Sequence, residues 1–224
     1  MRYSIEGGSL PVAICQLDPG ETMISEAGGR TWARGNIVTE ASGGGAGKML
    51  GRMFMGESLF LSKYTAHGPA EIAFASFFPG RIIPMELGPG QSIVCQKRAF
   101  LAATAGVTLS VYFQKKLGKG LFGGEGFIMQ KVTGPGFIFL ELDGHCVEYS
   151  LAPGERLVCD TGVLAVMEES CQMDIQMVKG VKNILFGGEG LFDTVVVGPG
   201  KVWLQTMTIP HIAGLIAPYI PSKG

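Results

Sequence analysis

One glycine motif occurs twice in this chain at an offset of 64 residues: Leu121-Phe122-Gly123-Gly124-Glu125-Gly126 followed by Gly134-Pro135-Gly136, and Leu185-Phe186-Gly187-Gly188-Glu189-Gly190 followed by Gly198-Pro199-Gly200. A weaker version, Phe54-Met55-Gly56-Glu57-Ser58 followed by Gly68-Pro69-Ala70, lies upstream with two more residues between its halves. A second, unrelated signature keeps the same phase: Leu17-Asp18-Pro19-Gly20-Glu21, Leu87-Gly88-Pro89-Gly90-Gln91 and Leu151-Ala152-Pro153-Gly154-Glu155. From each leucine to the phenylalanine of its later motif the count is 37, 35 and 35. Cys95 and Cys159 take equivalent places, held by Ser25 in the first copy, so these thiols read as small core fillers. A chain built from copies of one unit must fold into like units, each covering surface that its neighbour cannot bury alone.

Within each copy the pattern is strand and turn. Residues 107–113, 137–142, 171–177 and 201–206 are short, alternating or continuously apolar, and rich in β-branched and aromatic side chains. Pro-Gly, Asp143-Gly144 and Gly-Pro-Gly punctuate them, since proline presets φ and glycine accepts φ > 0. The 35 glycines and 12 prolines among 224 residues supply turns, and a 46% hydrophobic share supplies a core. The reading is an all-β protein of three tandem β-sandwich repeats, 1–76, 77–142 and 143–208, in one body spanning 1–224. Closing the three around a pseudo-threefold axis would cover their strand edges. The glycine-rich residues 42–49 read as an insertion or a mobile loop, and 209–224 form an apolar tail with room for a short helix between Pro210 and Pro218.

The formal charge of −1 gives no overall attraction to phosphate backbones, so nucleic acid is disfavoured as a partner. Residues 43–48 lack the first glycine and the hydroxyl of a phosphate loop, because Ser42 and Met49 stand in those places. His67, His145 and His211 fall in no metal-ligand spacing, no Gly-x-Ser-x-Gly elbow presents a nucleophile, and no catalytic residue, metal or cofactor is assigned. Five cysteines without a CxxC pair read as reduced thiols. Without an apolar leader or a segment of membrane-spanning length, a cytoplasmic location is expected.

Two groups of charged residues stand out. Glu57, Glu125 and Glu189 recur in all three glycine motifs, where each carboxylate can pin a tight turn by accepting glycine N–H groups, or the three can gather near the axis as a cation site. Lys97, Arg98, Lys115, Lys116 and Lys119 adjoin aromatic residues and make a candidate basic patch, with solvated strand ends as the simpler reading. The 11 methionines and 13 phenylalanines suit either core or an adaptable contact surface, to which residues 212–220 could add.

Pro11-Val12, Leu17-x-Pro19-Gly20-Glu21, Gly51-Arg52 with Gly56-Glu57-Ser58, Phe78-Pro79-Gly80, Phe100-Leu101-Ala102, the two Phe-Gly-Gly-Glu-Gly motifs and Val202-Trp203-Leu204-Gln205-Thr206 together resemble the mitochondrial-biogenesis (altered inheritance of mitochondria) family. The resemblance spans nearly the whole chain. It implies a fold similar to the tryptophan RNA-binding attenuator protein, double-stranded β-helix-like, with the module repeated inside one chain. The family's eukaryotic member resembles an inner-mitochondrial-membrane protein supporting membrane organisation, and no catalytic residue carries over. The functional expectation is therefore a non-enzymatic β scaffold that forms homo-oligomers and binds a protein or membrane-associated partner. A small-ligand or single-stranded RNA binding module is the alternative, and a sandwich enzyme a third.

Overall fold

The structure, a computed structural model, describes residues 1–41, 61–115, 126–177 and 192–220. From the N-terminus its strands are β1 (Arg2–Glu6), β2 (Val12–Leu17), β3 (Thr22–Glu26), β4 (Trp32–Arg34), β5 (Ile37–Ala41), β6 (Leu61–Ala66) and β7 (Ala70–Ala75). Next come β8 (Gly80–Leu87), β9 (Ser92–Gln96), β10 (Phe100–Thr104), β11 (Thr108–Lys115), β12 (Phe127–Thr133) and β13 (Gly136–Asp143), with a 3-10 turn over Lys97–Ala99. The last are β14 (Cys146–Leu151), β15 (Arg156–Asp160), β16 (Leu164–Glu168), β17 (Gln172–Met177), β18 (Phe192–Val197) and β19 (Gly200–Gln205), followed by helix α1 (Ile209–Ile216). The four segments read as strands from sequence fall on β11, β13, β17 and β19.

The Pro-Gly signatures join β2 to β3, β8 to β9 and β14 to β15. Gly20, Gly90 and Gly154 sit there at φ of +90°, +75° and +78°, the left-handed conformation that the third position of such a turn requires. The next residue locks the turn. Glu21, Gln91 and Glu155 each accept, through a side-chain oxygen, the N–H of Asp18, Gly88 and Ala152 at 2.8, 2.7 and 2.7 Å. Their own N–H groups donate back to the carbonyls of those same residues.

The strands form four antiparallel sheets: β1-β2-β7-β4, β5-β6-β3-β10-β13-β8, β11-β12-β9-β16-β19-β14 and β15-β18-β17. Three cores lie between them. Ile72 and Phe74 of the first sheet pack with Met23, Tyr64, Leu101 and Phe139 of the second. Ile24, Phe100, Ile138 and Leu140, on the second sheet's other face, pack with Ile93, Val132 and Val166 of the third. Val94, Met129, Leu164 and Met167 then face Ile175 and Val196 of the fourth. Successive residues of a strand point to opposite faces, so a strand in a middle layer must be apolar throughout. That is why the run Phe100-Leu101-Ala102-Ala103 is wholly buried, whereas β17 at the end of the stack exposes most of its residues.

The expected closure around a pseudo-threefold axis does not form. Sheets two and three are each shared between consecutive parts of the chain, because β3 pairs with β10 and β9 pairs with β16. Each part hands its strand to the part that follows in sequence. The sheets therefore stack in series instead of forming separate sandwiches or a closed barrel, and β4 and β15 remain at sheet edges. The tail forms the expected short helix, with Thr208 at its N-cap accepting from the His211 N–H at 3.4 Å and Pro210 in its first turn.

Candidate functional site

Few polar side chains are buried among the described residues, and two of them meet where the second and third sheets end. Gln205, the last residue of β19, donates from Nε2 to the Gly162 carbonyl at 2.7 Å and to Oε1 of Gln96 at 3.2 Å. Its Oε1 accepts the Asp143 N–H at 3.0 Å. Glu141, 64 residues earlier on β13, does the corresponding work by accepting the Phe77 N–H at 3.2 Å. The amide meets these partners while neutral. The carboxyl meets its partner in a desolvated place, and burial pushes its pKa up to about 7, opposed by the Phe77 N–H, reinforced by neighbouring Asp143 and opposed again by Arg98. Burial also raises Asp143, against the pull of the same guanidinium.

A cavity of about 400 Å³ lies beside these groups. Glu26, Gln96, Lys97, Arg98, Phe127, Asp143 and Gln205 line it, and Thr208, Ile209, Pro210 and Ala213 cover one side. Elements far apart in the sequence converge here: the ends of β3, β13 and β19, the 3-10 turn after β9, the start of β12 and helix α1. The volume falls within the range of small-molecule sites, and an apolar wall lies beside convergent polar groups. The Arg98 charge acts on both Glu141 and Asp143. Among the described residues no group of three or more His, Cys, Asp or Glu side chains is placed to hold a metal ion.

A family model described as mitochondrial biogenesis AIM24 matches residues 3–207, which hold every strand of the described residues except the first residue of β1. The chain belongs to the AIM24 family. A relative in Streptococcus pyogenes serotype M6, named an uncharacterised protein, is 27% identical over 233 residues, covering 100% of this chain and 92% of that protein. The crystal structure of another Streptococcus pyogenes protein superposes with a TM-score of 0.83 at 21% identity, covering 98% of this chain and 99% of that one. The likeness to that structure establishes the fold.

The AIM24 chain brings only part of the sequence-derived candidates to this cavity. Lys97 and Arg98 line it. Lys115 stands opposite Phe127 at the end of β11, and its ammonium donates to the Ile175 carbonyl at 2.6 Å. Glu57, Glu125, Glu189, Lys116 and Lys119 lie outside the described residues. Gln96, Glu141, Asp143 and Gln205 were not singled out from sequence, although the 64-residue offset that aligns Glu141 with Gln205 could have flagged them. The thiols are poor nucleophiles: burial pushes Cys15 and Cys95 up to about 12, reinforced at Cys95 by the negative charge of Glu26. Cys159 is likewise raised to about 12, first by burial, although it is only half-buried.

The second feature is apolar and outward. No residue of α1 is buried, and Leu215, Ile216, Tyr219 and Ile220 are 62%, 50%, 86% and 64% exposed. Among the described residues no helix is long and apolar enough to cross a membrane.

Proposed function

We propose that this AIM24 chain is a non-enzymatic, cytoplasmic β scaffold that self-associates and docks a protein or membrane-associated partner through its C-terminal tail. The observation that carries this reading is the exposed apolar surface of α1 and the turn after it, from Leu215 to Ile220. An uncovered cluster of large apolar side chains is stabilised when a partner removes it from water. The hydrogen bonds of Glu141 to the Phe77 N–H and of Gln205 to the Asp143 N–H support a body whose polar groups tie its segments together, and the raised thiol pKa values argue against thiolate chemistry. A photo-crosslinking residue at position 215 in the native cell tests the reading. A reproducible protein or lipid adduct is expected, and the absence of any adduct overturns it.

The cavity favours a second reading, a small-ligand module. Native mass spectrometry of the purified chain would then show a retained small molecule that Gln205→Leu releases.

A further inference from the structure

Two strand pairings inside this chain are built alike, and among the described residues the parts for a third lie unpaired at opposite ends of the stack. In the second sheet β3 pairs with β10, setting Ile24 opposite Ala103. In the third, β9 pairs with β16, setting Val94 opposite Met167. Ile24 and Val94 are each the seventh residue after the leucine of their Pro-Gly signature, and the seventh after Leu151 is Val158 on β15. Ala103 and Met167 stand opposite Ile138 and Val202 on the strand that follows the Gly-Pro motif. The residue so placed opposite Ile72 is Ala33 on β4. Val158 and Ala33 are therefore the corresponding pair, and among the described residues no strand joins them.

Burial separates the made pairings from the unmade one. Ile24, Ala103, Val94 and Met167 are all 3% exposed or less. Val158 is 54% exposed, and Trp32, beside Ala33, is 42% exposed. The backbone agrees. Gly198 N–H donates to the Glu155 carbonyl and Thr161 N–H to the Phe192 carbonyl, so odd-numbered residues of β15 direct their polar groups to β18. Hydrogen-bonding direction alternates along an antiparallel strand, which leaves the N–H and C=O of Val158 directed out of the sheet. On β7 the Ser76 N–H bonds the Pro11 carbonyl, so even-numbered residues face β2 and odd-numbered ones face β4. Ala33, opposite even-numbered Ile72, directs its own polar groups outward. An exposed edge with unspent donors and acceptors is a template for another strand.

We infer that β15 of one copy pairs with β4 of a second copy, antiparallel, with Val158 opposite Ala33, Cys159 opposite Trp32 and Leu157 opposite Arg34. The fourth sheet of one molecule and the first sheet of the next then make one continuous sheet like the two already inside each chain. The stack runs in series, so the two edges belong to opposite ends of the molecule and meet only between copies. The contact is heterologous, each copy offering a different edge, and it generates rings or open arrays instead of a two-fold dimer. This names the surface of the self-association proposed above and rests on that part of the reading; tail docking is separate from it.

Single edge variants and their mixture test the inference. Val158→Pro removes one outward N–H from β15, and Ala33→Pro removes one from β4, while the bonds to β18 and β7 are left in place. Sedimentation velocity at tens of micromolar is expected to show multimers for the natural chain, a monomer for each variant alone, and a dimer that grows no further when the two variants are mixed. The mixture works because each variant keeps the edge that the other lacks. Val158→Lys, which keeps the backbone donor, is expected to shift association to higher concentration, and near-native circular dichroism confirms folding of each variant. A monomeric natural chain overturns both the inference and the self-association behind it. Multimers unchanged in Val158→Pro and Ala33→Pro but lost in Leu215→Asp overturn the edge pairing alone, and so does a dimer formed by either proline variant on its own.

Discussion

The β9·β16 junction and the β15 edge carry similar residues in similar places, yet one is buried and the other is half in water. Val94 is 0% exposed and Val158, its counterpart, is 54% exposed. Cys95 is buried and Cys159 is half-buried. Local sequence does not explain this contrast, because Ser-Ile-Val-Cys-Gln on β9 and Arg-Leu-Val-Cys-Asp on β15 share their central Val-Cys. What differs is the neighbour. A valine in a middle layer is covered by a strand beside it and a sheet on each face, whereas at the end of the stack the same valine has, among the described residues, no strand on its outer side.

The largest expected effect tests that contrast directly. Met167→Ala at the closed junction should cost about 2–5 kcal/mol, the range for truncating a buried methionine, while Val158→Ala should stay within about 0.5 kcal/mol. Urea unfolding of dilute protein measures both, and comparable losses would break the comparison. Next in size is the first glycine of the Gly-Pro motif. A Cβ on Gly134 would lie 2.6 Å from the carbonyl oxygens of Leu87 and Gly88, but one on Gly68 would meet nothing within 4 Å. Gly134→Ala should therefore lower stability by more than about 1 kcal/mol, with Gly68→Ala close to neutral in the same assay.

Smaller again is the lock on the Pro-Gly turns. Glu155→Ala removes the acceptor of the Ala152 N–H and should cost about 1 kcal/mol, with Glu155→Gln recovering most of it because Gln91 already serves at the second turn. The two are compared by thermal unfolding.

The smallest effect separates the two junctions by pH. Glu141 takes up a proton more readily when folded, its pKa being about 7 against an ordinary 4.5, so the folded state binds more protons than the unfolded one between those values. Stability is then highest below about pH 4.5, declines through this window, and has lost the whole contribution above about pH 7. Glu141→Gln places at the first junction the residue type that Gln205 supplies at the second. Water screens part of the effect at this half-buried site, so the variant should gain about 1 kcal/mol, or roughly 2–4 °C in Tm, at pH 8 and nothing at pH 4. An equal gain at both pH values would show that desolvation of the carboxylate is not the cause.

Much of the fold was legible because its signals are local. Proline, glycine and a following Glu or Gln define each tight turn within five residues, and the alternating and continuous apolar runs announce strands. The candidate cavity was less legible. Lys97 and Arg98 were visible as a charged pair, but Asp143 and Gln205 become neighbours only when β13 and β19 end side by side against the 3-10 turn. Charge composition could not reveal that the Arg98 charge acts on two half-buried acids.

By itself, the sequence determined strand and turn, since these follow from side-chain size, alternation and the φ values that single residues allow. Only the tertiary structure decided that the parts share sheets in series and do not close on themselves. Which strand lies beside which depends on pairing between residues far apart in sequence, and β4 and β15 carry nothing local to say whether a neighbour exists.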